Sequence, residues 1–374
     1  MSGGEFGRFR NCRGNPPRSK WRIDIKMTDD FEFDVEMVRK AIQASVLAQR
    51  MRQQRWGAQG APINTVVQGH RMVAAYNELL TIRPDATYHD FLTLYLRQIF
   101  GQKWWEDEET KTAEQRHILV NWNHACERMM LEGSTGEHKV HEAPMPAEAA
   151  HLLRLAFDLH QIRHLGLLLP SLVKRLKVID QFQGARYEAA VSAAFARANF
   201  HIELEPEGKG PQKRCEFVAM HLPTKRKYTV EAKSRHLPGI LGQPNMVPSA
   251  RNEPFVEALI RKALDKTAEY DRIICIDINC PHPSDNIIPE WGSTLRQQVN
   301  KLEQKGSGPA ILIFTNAPFH FLKPGSPVRG QKSMLMGLLE PRFQPQDVHH
   351  VQQTFPGIID AANAFHLPIP SGWD

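Results

Sequence analysis

Two short apolar runs constrain the fold of this chain more than any other feature. IICIDI, at 273–278, and AILIFT, at 310–315, are almost continuously apolar and rich in β-branched residues. Strands with this composition are typically buried on both faces, because helices cover the two sides of a parallel sheet. Together with the helical spacing of apolar residues at 184–198, the two runs predict an α/β domain.

The remaining elements of this domain follow from the same patterns past Gln181. Runs rich in β-branched and aromatic residues predict strands, helical spacing predicts helices, and proline suits a first helical turn. The predicted order is helix 184–198, strands 200–205, 213–222 and 227–234, a helix from Pro254 to Tyr270, and strands 272–279 and 310–316.

The N-terminal half has a different pattern. From about 32 to 178 apolar residues recur at helical spacing, as in the segments 64–82, 87–100, 112–132 and 147–178, which predicts an all-helical domain. Residues 1–29 mix Gly, Pro, Ser and Arg without periodicity, as in a disordered arm or leader. The predicted division is an arm at 1–29, a helical domain of unknown role at 30–178 and an α/β domain at 179–374.

Composition adds expectations about the environment and the partner. The net charge of +6 suits a polyanionic partner, although charge alone is weak support for one. No apolar stretch reaches eighteen residues and the first residues do not resemble a secretory signal, so we expect a cytoplasmic protein without a membrane partner. The five cysteines form no C-x-x-C pair, which favours reduced thiols.

One Glu-x-Lys tripeptide stands out because of its context. Such tripeptides occur five times, but only Glu231-Ala232-Lys233 ends an extended run, YTVEAK. In a strand Glu231 and Lys233 share one face, because successive side chains alternate. The preceding run KRCEFVAMHL is joined to it by Pro223 to Arg226, which predicts a tight hairpin.

The hairpin brings a second carboxylate to Glu231. If the strands close symmetrically between Pro223 and Thr224, Glu216 lies opposite Glu231, with Cβ atoms about 4.5–5.5 Å apart. Two carboxylates this close repel one another unless a cation lies between them, so the arrangement indicates a Mg²⁺ site. A shifted register would weaken this geometry. In the upstream helix, Glu188 at the margin of an apolar stripe could reach the same cluster.

These residues resemble the motif of the PD-(D/E)XK nuclease superfamily, which includes restriction endonucleases, junction resolvases and phage exonucleases. The motif here is Glu188 in the first helix, Glu216, fourteen intervening residues and Glu231-Ala232-Lys233. The order helix, three strands, helix, strand in a mixed sheet also resembles the restriction-endonuclease-like core, over about residues 180–316. Glu216 stands where the family usually has Asp, and Cys215 stands where it often has Pro.

The resemblance implies a Mg²⁺-dependent endonuclease, with Mn²⁺ able to substitute. Glu216, Glu231 and the carbonyl of Ala232 would bind the metal ion, and Glu188 would assist directly or through water. Lys233 would position the attacking water and offset charge on the phosphate. The expected substrate is nucleic acid, in the first place DNA, and a homodimer or higher oligomer is expected because cutting both strands commonly takes two sites.

Several cations after the motif are candidates for binding nucleic acid. Arg235 opens a Gly- and Pro-rich loop, and Arg261, Lys262 and Lys266 fall on the predicted helix after it. Lys262 is the candidate for the auxiliary basic or amide position that such folds often carry there. Exposed cations in the C-terminal half of a helix are the alternative interpretation.

Two other hypotheses remain for the chain as a whole. The domain could be an ordinary α/β domain in which Glu231 and Lys233 form an exposed strand pair. It could also be a catalytically inactive nuclease fold that binds nucleic acid or a protein partner. By analogy, a helical module joined to such a nuclease is typical of a prokaryotic defence or mobile-element effector, including antiviral ones.

Overall fold

The structure is a computed structural model of the chain. It describes residues 40, 43, 64–76, 78–132, 145–204, 215–236, 255–280, 291–305, 310–316, 325, 334–339, 358, 361 and 373. The predicted arm at 1–29 lies outside these residues. The chain divides into two compact units, 1–47 and 48–374. In the first unit only Lys40 and Gln43 are described, and both are helical.

The second unit contains the helices of the N-terminal half and the helices and sheet of the predicted α/β domain. The helices are α1 (Tyr88–Phe100), α2 (Gln102–Glu109), α3 (Ile118–Glu132), α4 (Ala147–His164), α5 (Pro170–Leu176), α6 (Ile179–Arg197), α7 (Glu257–Leu264) and α8 (Trp291–Gln304). The strands are β1 (Asn64–Val67), β2 (His70–Ala75), β3 (Glu78–Ile82), β4 (Phe200–Leu204), β5 (Phe217–His221), β6 (Lys227–Ser234), β7 (Asp271–Asp277), β8 (Ala310–Asn316) and β9 (Met334–Leu339).

The prediction of an all-helical N-terminal half is wrong at 64–82. These residues form a three-stranded antiparallel sheet, β1–β2–β3. The chain reverses at Gln68 and Gly69, which both have positive φ, as the tight turn of a hairpin requires. Residues such as Val73 and Ile82 are buried against the helical core. The apolar residues at 64–82 are therefore spaced in a way that fits a helix, although they lie on short strands.

The large sheet has the mixed character that the sequence predicted. Its order is β4-β5-β6-β7-β8-β9. Strands β4, β5 and β6 form an antiparallel meander, β6, β7 and β8 run parallel, and β9 is antiparallel to β8. The predicted order of helix, three strands, helix and strand corresponds to α6, β4, β5, β6, α7 and β7. The sequence did not predict α8 and β9.

Helix α6 packs both in the core formed by the helices and against the large sheet. Phe182, Ala185 and Ala189 pack in the helical core with α1, α3 and α4. Tyr187 and Phe195 pack against the sheet. Helices α7 and α8 pack on a further core with β7 and β8. The residue where the sequence predicted a domain boundary, 178, lies inside this unit, and the division at that point stays a prediction.

Two further findings concern the whole described part of the chain. Cys126, Cys215, Cys275 and Cys280 are free thiols, as the sequence predicted for these four residues. Among the described helices, none is both long enough and apolar enough to cross a membrane.

Candidate active site

The hairpin of β5 and β6 has the predicted register. Phe217 pairs with Val230 and Val218 with Thr229, and the Glu216 amide donates to the Val230 carbonyl at 3.0 Å. The turn closes with Lys225 at positive φ, and its amide donates to the His221 carbonyl at 2.7 Å. Glu216 precedes Phe217 and Glu231 follows Val230, so the same register sets Glu216 opposite Glu231. The predicted register of the hairpin is therefore confirmed.

A lysine side chain lies between the two carboxylates. The Nζ atom of Lys266 is 2.7 Å from Glu231 Oε1, 2.8 Å from Glu231 Oε2 and 3.4 Å from Glu216 Oε1. The Lys266 side chain is only 15% exposed. Burial alone would lower the pKa of Lys266, but Glu216 and Glu231 outweigh burial and raise it. A single positive centre thus bridges both carboxylates.

Glu231 is the most buried member of the cluster. Its side chain is 1% exposed and contacts the Lys233 ammonium two residues along β6. Burial and then the charge of Glu216 raise the pKa of Glu231, while Lys233 and Lys266 act in the opposite direction. A buried carboxylate needs such partners, because the desolvation of an unpaired charge in the interior costs on the order of several kcal/mol.

Glu188 on α6 belongs to the same electrostatic cluster. Burial, with the charge of Glu216 next in size, raises the pKa of Glu188 to about 7, and Glu231 adds to this effect. Arg175 at the end of α5 opposes the shift, because its Nη2 donates to Glu188 Oε2 at 2.6 Å. Residues from α5, α6, β6, the position just before β5 and the segment after α7 therefore meet at one place.

The donor set suits a divalent cation of the Mg²⁺ type. Within the described residues, no group of three or more His, Cys, Asp or Glu side chains is arranged to hold a metal ion. Mg²⁺, however, commonly takes one or two protein carboxylates and completes its shell with water and substrate oxygens. The Lys266 ammonium, in contact with both Glu216 and Glu231, stands in for such a cation. The pair of carboxylates therefore fits the metal ion that the resemblance implies.

The predicted cations lie in different environments. Helix α7 ends at Leu264, so Lys266 follows the helix instead of lying on it and turns into the carboxylate cluster. Lys262, the predicted auxiliary residue, is exposed on α7. Arg261 is exposed on the same helix and pairs with Glu257. The residue after α7 that meets the carboxylates is thus Lys266, and contacts of Arg261 and Lys262 with nucleic acid stay predictions.

Arg235 is buried, contrary to the expectation of a surface residue. Its Nη1 atom donates to the Ile278 carbonyl at 3.3 Å and to Cys280 Sγ at 3.2 Å. The Arg235 carbonyl accepts from Gln183 Nε2 at 3.2 Å and from Asn279 Nδ2 at 2.7 Å. These bonds fix the backbone that follows Lys233. In this structure Arg235 supports the end of β6 and does not present its guanidinium to the surface.

The sequence missed Arg175, and it assigned Lys266 to the wrong environment. Arg175 lies in the half of the chain for which the sequence offered no mechanism. The sequence predicts a helix that continues to Tyr270 and so sets Lys266 on a helix surface, whereas the helix ends at Leu264. Arg175 contacts Glu188, and Lys266 contacts Glu216. Only the tertiary structure shows these contacts, because Arg175 and Lys266 are distant in sequence from Glu231-Ala232-Lys233.

Replacing Lys266 with methionine is expected to strengthen Mn²⁺ binding. Removal of the ammonium frees Glu216 and Glu231 for the ion and also removes the repulsion between two cations at contact distance. The dissociation constant for Mn²⁺ should therefore fall about tenfold. Without metal the variant should unfold at lower urea concentration, because buried Glu231 keeps only Lys233. Calorimetric titration with Mn²⁺ and urea unfolding in EDTA measure the two effects. Unchanged Mn²⁺ affinity, with Lys262→Met as the control, would contradict this prediction.

Taken together, the cluster combines three carboxylates with three cations at one place. Glu216 and Glu231 share the Lys266 ammonium, Lys233 contacts Glu231, and Glu188 pairs with Arg175 beside them. Comparison with protein-family models, with curated proteins and with solved structures found no match to this chain.

Proposed function

We propose that this protein is a metal-dependent nuclease of the PD-(D/E)XK type. The observation that carries the proposal is the position of Lys266 Nζ, which bridges Glu216 and Glu231 beside Lys233. Two carboxylates and an ammonium group on one hairpin are the groups that the motif requires. The order α6, β4, β5, β6, α7, β7 in a mixed sheet gives further support, because it is the order that the resemblance implies.

The residues that would hold the metal ion are Glu216, Glu231 and the carbonyl of Ala232, with Glu188 direct or through water. A bound Mg²⁺ or Mn²⁺ would act as a Lewis acid that makes water nucleophilic at neutral pH and neutralises charge on the phosphate. Glutamate in place of the usual aspartate at 216 keeps the carboxylate oxygens needed for this role. Cys215 is buried, and burial raises the pKa of its thiol, so the thiol is neutral in the metal-free protein.

Lys233 would act on the reacting groups. Its ammonium contacts Glu231 and is 21% exposed, so it borders both the carboxylates and the solvent. From there it can orient the attacking water and stabilise the negative charge that grows on the phosphate oxygens. With metal bound, Lys266 would leave the carboxylates and become available to the same phosphate. DNA is the substrate class that we propose, and a homodimer would place two such sites on a duplex.

The test is cleavage by the full chain and by two lysine variants. Supercoiled plasmid, linear duplex and single strands are incubated with Mg²⁺, with Mn²⁺ and with EDTA. We expect cleavage that needs metal, that is lost in Lys233→Ala, and that persists in Lys227→Ala. Lys227 is a suitable control because it begins the same strand but pairs with Glu203.

The opposite results separate the alternatives. If the wild type cuts none of these substrates but binds Mn²⁺ through Glu231, the domain is a nuclease fold that binds without cutting. If calorimetry also detects no binding of Mg²⁺ or Mn²⁺, the proposed site is wrong. Cleavage that survives in Lys233→Ala would place the chemistry elsewhere in the protein.

A further inference from the structure

Arg175 reaches the candidate site from the helical half of the chain. Helix α5 is held against the helical core by Leu172 and Leu176, which are both buried. Arg175 lies between these two anchors, so the packing of α5 fixes where its side chain begins. From there Nη2 reaches Glu188 Oε2 at 2.6 Å. The contact therefore joins two helices and does not involve a loop.

The Arg175 guanidinium connects the interior of the site to its surface. The Glu188 side chain is 18% exposed, whereas the Arg175 side chain is 39% exposed. A guanidinium carries five N–H donors in a planar fork, and the described residues include one hydrogen-bond partner for it, Glu188. The remaining donors can meet an anion that approaches the site from solvent. Arginine is well suited to this task, because its fork matches phosphate oxygens.

The neighbouring charges need a cation at this margin. Wherever Glu188, Glu216 and Glu231 are ionised they would repel a phosphate, and the ammonium groups of Lys233 and Lys266 contact only Glu216 and Glu231. Arg175 supplies a third positive charge on the side of Glu188. The alternative explanation is that Arg175, like exposed Lys174, only complements the C-terminal end of α5. The short bond to Glu188 favours a role in the site, because a cation that served only the helix end would have no need of that carboxylate.

We propose that Arg175 binds a phosphate of the nucleic acid next to the scissile bond, and that Glu188 holds its guanidinium in place. This inference rests on the proposed nuclease function and extends it. The helical half then contributes directly to substrate binding, and α5 forms a wall of the site on the side of Glu188. Glu188 would have two tasks, to support the metal ion and to orient Arg175.

The test measures nucleic-acid binding without cleavage. Labelled duplex and single-stranded DNA are titrated with the full-length protein in EDTA and in Ca²⁺, over a range of NaCl concentrations, and binding is followed by fluorescence anisotropy. The variants are Arg175→Gln, Arg175→Lys and the control Arg226→Gln. Arg226 is also an arginine in an ion pair, with Asp271, but it belongs to the hairpin turn before β6.

Arg175→Gln is expected to bind duplex about tenfold more weakly, as for the loss of one charge-assisted hydrogen bond. The slope of log K against log salt should fall by about 0.9, the value for one phosphate contact. Arg175→Lys should keep the salt slope and recover part of the affinity, because it keeps the charge without the fork. In cleavage assays Arg175→Gln should raise KM more than it lowers kcat.

Two results would overturn the inference, and they are distinguishable. If the wild type cuts DNA and Arg175→Gln binds with the same affinity and salt slope as Arg226→Gln, Arg175 does not contact the substrate while the nuclease stands. If the wild type neither binds nor cuts any nucleic acid, the proposed function and this inference fail together. Equal melting temperatures of the two Gln variants would show that a loss of binding is not a loss of folding.

Discussion

Replacement of Glu231 by glutamine is expected to abolish both Mn²⁺ binding and cleavage. Glutamine keeps the shape and size of the side chain but removes the charge that a divalent cation requires. Glu231 is the carboxylate that Lys266 contacts most closely and that Lys233 also contacts. Its loss leaves two ammonium groups without their main partner, so the local field would repel a cation.

The expected loss of rate is at least about a thousandfold, because a catalytic metal ion stabilises the transition state by several kcal/mol. Metal binding is measured by calorimetric titration with Mn²⁺, and cleavage by initial rates on plasmid at saturating metal. Glu203→Gln is the matched control, since Glu203 is a strand glutamate that pairs with Lys227 on the surface. We expect it to behave as the wild type. Mn²⁺ binding to Glu231→Gln with wild-type affinity would show that Glu231 is not a ligand.

The centre of the candidate site could be predicted because it depends on local geometry. A hairpin with a short turn allows few registers, and the alternation of YTVEAK fixes which side chains share a face. Those two facts were enough to bring Glu216 to Glu231. The parallel strands β7 and β8 were predictable for a similar reason, since a continuous apolar run has to be covered on both sides.

The errors arose where tertiary contacts decide. Residues 64–82 contain apolar residues that fit both periods, and only the turn at Gln68 and Gly69 and the contact of Val73 with the helical core select strands. Lys266 was assigned to a helix surface because a sequence does not show where α7 ends within a polar stretch. Arg175 could not be found at all, since nothing near it in the sequence indicates that Glu188 is its neighbour.

A substitution in the interior addresses whether the two halves fold as one. Asp158 on α4 accepts from Arg197 Nη1 at 3.0 Å and from Arg154 Nε at 3.0 Å. Arg197 on α6 is fully buried, and its Nη2 donates to the Ala361 carbonyl at 3.0 Å. Burial lowers the pKa of Arg197 to about 10, and the charge of Asp158 opposes that shift. The pair thus connects the helical core to the helix that covers the sheet.

Asp158→Ala is therefore expected to destabilise the whole second unit. The variant leaves the Arg197 charge buried without its carboxylate, and loss of one partner of a buried pair costs about 3–5 kcal/mol. Urea unfolding measures this cost through circular dichroism, which reports all helices and strands, and through tryptophan fluorescence. Because the chain has seven tryptophans, fluorescence is read in a background with Trp21, Trp56 and Trp291 replaced by phenylalanine, which leaves the tryptophans in or against the helical core: Trp104, Trp105, Trp122 and Trp373.

The two signals also test how the halves are coupled. If α6 makes one cooperative unit of the helical core and the sheet, both signals should shift together and their midpoints should coincide. Asp107→Ala is the control, because Asp107 forms an exposed ion pair with Lys103 and such pairs contribute about 0–1 kcal/mol. Fluorescence that shifts alone, while circular dichroism keeps a second transition at the wild-type midpoint, would mean that the sheet folds independently. That result would support the predicted domain boundary at residue 178.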